Sequence, residues 1–157
     1  MALLIFPPTQ NTRKASVNNR KVLVDTGPLV ALLVAEDRHH SWIRERLQEC
    51  PSPLMTCEPV LTEAFFVLKR GRGGVARFFD LLRSGLLSVE FDLMAERSAI
   101  ESMVVKYHNV PMSLADACLV RMAELMPASA ILTLDGDFRL YRKHEKHSIS
   151  VILPPGA

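Results

Sequence analysis

Cysteine is scarce in this sequence. The three residues, Cys50, Cys57 and Cys118, form no metal-binding spacing and no even set for disulfides. That excludes a zinc ribbon or a disulfide scaffold and leaves three reduced residues in or near a core. No apolar run approaches the ~20 residues of a membrane helix. "MALLIF" is too short for the apolar region of a signal peptide, and no basic segment precedes it. No membrane association is therefore expected, and the expected location is cytoplasmic. A charge excess is missing too: 19 Lys and Arg against 17 Asp and Glu leave +2. Internal repeats are absent. "GRGG" (71–74) lacks the Lys-Ser/Thr of a phosphate-binding loop, and "DTGPL" (25–29) lacks the second Asp of an Asp-x-Asp phosphatase signature.

What remains is ordinary globular material. The 157 residues, 48% hydrophobic and 23% charged, suit one domain with a real core. Residues 1–20 read as a flexible arm, with Pro7 and Pro8 followed by a polar stretch without periodicity. Residues 21–157 carry the domain. The bases cluster: "RKASVNNRK" (13–21), "KRGRGGVAR" (69–77) and "RLYRKHEKH" (139–147). Such clusters either hold phosphates or form solvated surface.

After the arm, strand and helix patterns alternate. "VLV" (22–24) reads as a buried strand and Pro28 to Ala35 as a helix. A second helix starts after a cap at Asp37 and runs to about Glu49, where Pro51 and Pro53 follow. "LMT" (54–56) is a short strand. Helices follow from Pro59 to Lys69 and from Val75 to Ser84. "LLSVEF" (86–91) alternates as a half-exposed edge strand does. Asp92 caps a helix reaching Tyr107, with Leu93, Ile100, Val104 and Tyr107 on its stripe; Ser113 caps another reaching Met126. "AILTL" (130–134) and "ISVIL" (149–153) complete the strands. Strands separated by helices predict an α/β domain with a parallel sheet.

Four acids break the local pattern. Asp25 and Asp135 each follow a buried strand. Glu63 has Pro59, Val60, Phe66 and Val67 as its helical neighbours, all apolar. Asp116 faces Leu119 and Val120 one turn on. Three of them also have a structural reading. Asp25 can cap the helix after it, Ser113-x-x-Asp116 fits a capping box, and Asp135-Gly136 fits a turn. Nothing in its own helix explains Glu63. Ligands of open α/β sheets bind beyond the strand C-termini. Two carboxylates ~5 Å apart repel by about 3 kcal/mol at an effective dielectric of ~20, so a cluster must take up protons or cations. Oxygen-only ligation suits Mg²⁺ or Mn²⁺, and such a site handles phosphoryl oxygens.

"VLVDTGPLVALL", "VLTEAFFVL", "SLADACLV" and "ILTLDGDF" together resemble the four motifs of PIN-domain ribonucleases, most of all toxins of the virulence-associated protein C (VapC) type. "AEDRHHSWIRERL" is similar to the family's second helix. The resemblance spans about residues 21–153. It implies a three-layer α/β/α sandwich with a parallel five-stranded sheet in order 3-2-1-4-5. It implies a catalytic quartet of Asp25, Glu63, Asp116 and Asp135, with Asp25, Asp116 and Asp135 holding Mg²⁺ or Mn²⁺ and Glu63 completing the shell or orienting water. Thr133 matches the hydroxyl before the last acid, Thr26 follows the first, and Asp137 is a further acid near the site. The implied activity is hydrolysis of RNA phosphodiester bonds, as the toxin of a toxin–antitoxin pair. The implied partners are RNA, a second copy of the chain, and a small antitoxin that lays a peptide over the site, often with an Arg. Arg70, Arg72, Arg139, Arg142 and Lys143 are candidates for tracking the RNA backbone. The arm departs from the family, whose members begin near the first strand. The rival readings are a PIN-fold module that binds without cleaving and a PIN nuclease that is not a toxin; a small phosphatase or phosphoacceptor ranks last.

Overall fold

The computed structural model describes residues 20–156. All of the expected arm except Arg20 lies outside them. From Val22 the order is β1 (Val22–Val24), α1 (Thr26–Leu33), α2 (His40–Glu49), β2 (Leu54–Thr56), α3 (Glu58–Leu68), α4 (Gly74–Arg83), β3 (Leu87–Val89), α5 (Leu93–Lys106) and α6 (Leu114–Leu125). Then come β4 (Ala130–Leu132), a 3₁₀ turn (Gly136–Arg139), a hairpin of β5 (Arg142–Lys143) and β6 (His147–Ser148), and β7 (Val151–Ile152).

The main sheet runs β3-β2-β1-β4-β7, all pairs parallel. This is the 3-2-1-4-5 order expected, with β7 as the fifth strand because the small hairpin precedes it. Val22, Leu23 and Val24 pair with Ala130, Ile131 and Leu132. Every residue of β1, β2 and β4 is buried. Side chains alternate between the faces of a strand, so both faces of the sheet centre are covered, and the layers are helix, sheet, helix. Exposure rises at the edge, where β3 lies as expected, but without the expected alternation: Leu87 and Ser88 are half-buried and Val89 is exposed.

Helix starts follow from local chemistry. Asp25 is the cap of α1, so that helix begins at Thr26, ahead of the expected Pro28. Ser113 and Asp116 form a reciprocal capping box on α6, and Asp92 caps α5 by accepting from the Ala95 amide at 3.0 Å. Asp37 does not cap α2. Its carboxylate accepts from the His39 amide at 2.8 Å, and the helix starts at His40. On α5 Ile100 is buried and Leu93 and Tyr107 pack against the core as expected, but Val104 is exposed and the neighbouring Met103 is buried in its place. "GRGG" is a turn with a specific need. Gly73 has φ +71°, and a Cβ on Gly74 would stand 1.9 Å from the Leu68 carbonyl oxygen. The hairpin has no signature in the sequence, since two-residue strands of charged and polar residues leave no periodicity to read.

The core joins Leu23, Ile131, Leu132, Leu29, Leu119 and Met122 with Phe138 and Tyr141 from beyond β4. Met112, Met126 and Trp42 pack against it, partly buried. The Arg121 guanidinium bridges Glu96 on α5 (2.7 Å) and Glu124 on α6 (2.8 Å), fixing the helix that carries Asp116.

Candidate active site at the strand C-termini

Asp25 leaves β1 still in the ladder, its amide donating to the Leu132 carbonyl at 3.0 Å. The side chain is 7% exposed and fully engaged. One oxygen accepts from the Thr26 amide at 2.6 Å and the other from the Thr133 hydroxyl at 2.7 Å. Thr133 in turn accepts from the Asp135 amide at 2.9 Å. One buried hydroxyl thus ties the acid after β1 to the acid after β4, across the point where strand order reverses. The Thr26 hydroxyl donates to Glu63 at 3.0 Å, tying α1 to α3. Asp116 is held by its capping box, accepting from the Ser113 amide at 2.8 Å. Asp135 accepts from the Asp137 amide at 2.8 Å and opens the 3₁₀ turn.

Electrostatics join the four. Burial pushes the Asp25 carboxyl up to about 6, against the two hydrogen bonds, and the charges of Asp116 and Glu63 add to the rise. Burial likewise raises Asp116, with Asp135 and Glu63 contributing. The ion pairs among the described residues, such as Arg121–Glu96 and Arg46–Glu49, leave the quartet out. The charges of the acids therefore act on one another, with none of these ion pairs to offset them.

The structural readings of the sequence are also real: Asp25 caps α1, Asp116 completes a box, and Asp135 opens a turn. Capping and clustering coexist, because three helix or turn starts converge at one sheet edge. Glu63 differs from expectation in its surroundings. Val60 is buried, but Phe66 and Val67 are about half exposed. Of the four neighbours Pro59 lines an open groove of about 730 Å³, where Phe91, Met94 and Leu114 meet the carboxylates of Glu58, Glu90 and Asp92. Of the quartet only Glu63 lines it.

The basic candidates are scattered. Arg139 lies in the turn that Asp135 opens and is exposed. Arg142 folds back onto the carbonyls of Arg139 and Tyr141. Arg70 lies over the Phe66 ring, 4.3 Å from its centroid, about 10 Å beyond Glu63 along α3 at 1.5 Å per residue. Arg72 is exposed. Lys143 reaches the Pro127 carbonyl at 3.3 Å, at the far edge of the sheet. His39 and His40 stay on α2, and the His40 ring bonds the Ala31 carbonyl.

Four residues around the site carried no usable sequence signal. Thr56, fully buried, donates to the Val24 carbonyl at 3.0 Å and pins β2 beside Asp25. Cys57 and Cys118 share a thiol hydrogen bond between the head of α3 and α6; it pulls Cys57 below the usual thiol range and pushes Cys118 above it. Tyr141 is buried with its hydroxyl unpartnered. Burial first, then Asp116, Asp137 and Asp135, raise its phenol.

A parallel 3-2-1-4-5 sheet with this acidic edge defines a class. Residues 22–144 match the PIN domain family, and the chain belongs to it. Within that family its likeness is to VapC ribonucleases. A VapC ribonuclease of Mycobacterium bovis and ribonuclease VapC36 of Mycobacterium tuberculosis are each 28% identical over 123 residues, 74% of this chain and 87% of theirs. The crystal structure of Mycobacterium tuberculosis VapC20, a sarcin–ricin-loop-cleaving toxin, matches with a TM-score of 0.66 and 25% identity, over 74% of this chain and 92% of that one.

Proposed function

We propose that this protein is a divalent-metal-dependent endoribonuclease, the toxin of a toxin–antitoxin pair. The observation that carries the reading is Asp25: a buried carboxylate raised by burial and by neighbouring acids, with no ion pair among the described residues to neutralise it. Such an arrangement stores a demand for a cation. Donor chemistry fits a hard ion, since every candidate ligand is a carboxylate oxygen. Among the described residues no three acids, histidines or cysteines already stand close enough to hold one ion, so the fit is one of donor type. Asp25, Asp116 and Asp135 would hold it, and Mg²⁺ or Mn²⁺ there supplies charge stabilisation at phosphoryl oxygens and a more acidic water.

The protein's own residues do the rest. Thr133 fixes Asp25 and, through the Asp135 amide, the loop after β4. Thr26 holds Glu63, whose carboxylate is placed to orient water and take its proton. Asp137 stays near the site as a further acid. Arg139 is the base best placed to meet a substrate phosphate, with Arg70, Arg72, Arg142 and Lys143 further out. Names of the VapC relatives support ribonuclease activity and toxicity. The groove beside Glu63 supports the antitoxin: apolar walls with an acidic rim repel RNA and suit a peptide carrying apolar and basic side chains. A second copy of the chain is the remaining partner implied by family resemblance.

Purified protein is expected to cut RNA with Mg²⁺ or Mn²⁺ and to stop with EDTA. Asp25→Asn and Asp116→Asn should abolish cutting while circular dichroism stays unchanged. Wild-type rates in both variants would remove the quartet from catalysis and favour the binding-only reading.

A further inference from the structure

At the opposite edge of the sheet lies a second cavity, of about 610 Å³, whose chemistry is the reverse of the acidic site. Arg20 precedes β1, Ser129 precedes β4 and Ser150 precedes β7, so three parallel strands begin at its wall. Lys143 and Ser148 enter from the hairpin. No acid lines it. Arg20 donates to the Ser150 hydroxyl and Lys143 to the Pro127 carbonyl. Both partners are neutral, and neither base enters an ion pair among the described residues. Among the described residues the two positive charges therefore have no opposite charge paired with them. Ser129 adds an independent sign: it is 3% exposed, and its hydroxyl has no hydrogen-bond partner. A buried hydroxyl without a partner is costly, and an acceptor in the cavity would satisfy it.

We infer that this cavity is a phosphomonoester site, with the group seated between Arg20 and Lys143 and accepting from the hydroxyls of Ser129, Ser148 and Ser150. A phosphate offers only acceptors, which suits a wall of donors. Arg matches its oxygens in a planar fork, while Lys supplies a point charge. The cavity has room for more than the phosphate alone, within the span of small-molecule sites. The ligand is a free nucleotide or the terminal phosphate of an RNA fragment, recognised through the same group. The site is separate from the proposed nuclease centre, so it stands or falls without it.

The test is amide NMR on the full chain in EDTA, which silences metal-dependent cutting. Inorganic phosphate, a nucleoside 5′-monophosphate and a short oligonucleotide with or without its 5′-phosphate are titrated at constant ionic strength. Saturable shifts at Ser129, Ser148 and Ser150 are expected with every probe that carries a phosphomonoester. A preference for the mononucleotide over the 5′-phosphorylated oligonucleotide marks a nucleotide site, and the converse an RNA-end site. Arg20→Ala with Lys143→Ala should weaken binding by about tenfold or more, as loss of charge-assisted bonds does. Ser129→Ala should weaken it by less, at unchanged Tm. Shifts that never saturate, that follow chloride equally, or that persist in the double variant overturn the proposal.

Discussion

Asp25 is the residue on which the most turns. Its carboxyl titrates near 6 in the fold against 3.8 when free, so between those values the folded state keeps a proton that the unfolded state releases. Protonation therefore stabilises. The contribution is fully present below about 3.8 and is lost as pH rises through about 6. At 1.36 kcal/mol per pKa unit, the gap is worth up to about 3 kcal/mol. In EDTA the wild-type Tm is expected to fall across this window. Asp25→Asn should flatten the fall, because the amide has no charge to bury. A divalent cation competes with that proton, so the Tm gained on adding Mn²⁺ should grow with pH through the same range. Thermal melts at several pH values, with EDTA and with Mn²⁺, measure both. A pH-independent difference between wild type and Asp25→Asn would show that the acid is not strained in the apo protein.

At the scale of elements, much of the site was legible and some was not, for physical reasons. Asp25 and Asp135 could be read because a charge after an apolar strand is costly enough to need explaining. Glu63 could be read because its helical neighbours are apolar, although in the structure Phe66 and Val67 are about half exposed and Pro59 lines an open groove. Thr56 could not, since a Thr ending a strand is ordinary and only the fold brings the Val24 carbonyl to it. Tyr141 is hidden within a run of bases, where a single aromatic leaves no pattern. "GRGG" was legible as a break but not as a fit. Gly74 packs so closely on Leu68 that any side chain must push backbone aside, whereas a Cβ at Gly71 would meet the same carbonyl at 3.6 Å with no φ penalty. Gly74→Ala is therefore expected to lower Tm by several degrees, and Gly71→Ala to leave it nearly unchanged. Equal melts for the two variants would mean that the α3–α4 turn adapts freely.

For the whole molecule, a net charge of +2 conceals a division. Asp25 and Asp135 stand past the C-terminal ends of their strands, with Glu58 and Asp92 following β2 and β3. Arg20, Lys21 and Lys143 stand at the N-terminal edge. RNA binding should therefore depend on distributed bases more than on net charge. Replacing Arg70 and Arg72 by Ala should weaken RNA binding and reduce the slope of log K against log salt by about one for each phosphate that is no longer held. Fluorescence anisotropy over a salt series measures this. An unchanged slope would make the 69–77 loop a solvated surface.

Among the described residues, the acids past the strand C-termini and the bases before the strand N-termini give the central sheet a polarity along its strands. In the field of a polyanion such a body turns before it touches, and it turns its basic edge forward. First encounters with RNA should therefore occur a strand's length from the acids, and under the proposed function the strand to be cut must afterwards move round to them. Salt shortens the reach of that torque to about 10 Å at 0.1 M, so added salt loosens the wrong-way encounters while it weakens binding as a whole. Turnover on a long RNA should consequently pass through a maximum at intermediate ionic strength, where arrival is still frequent and orientation is no longer imposed.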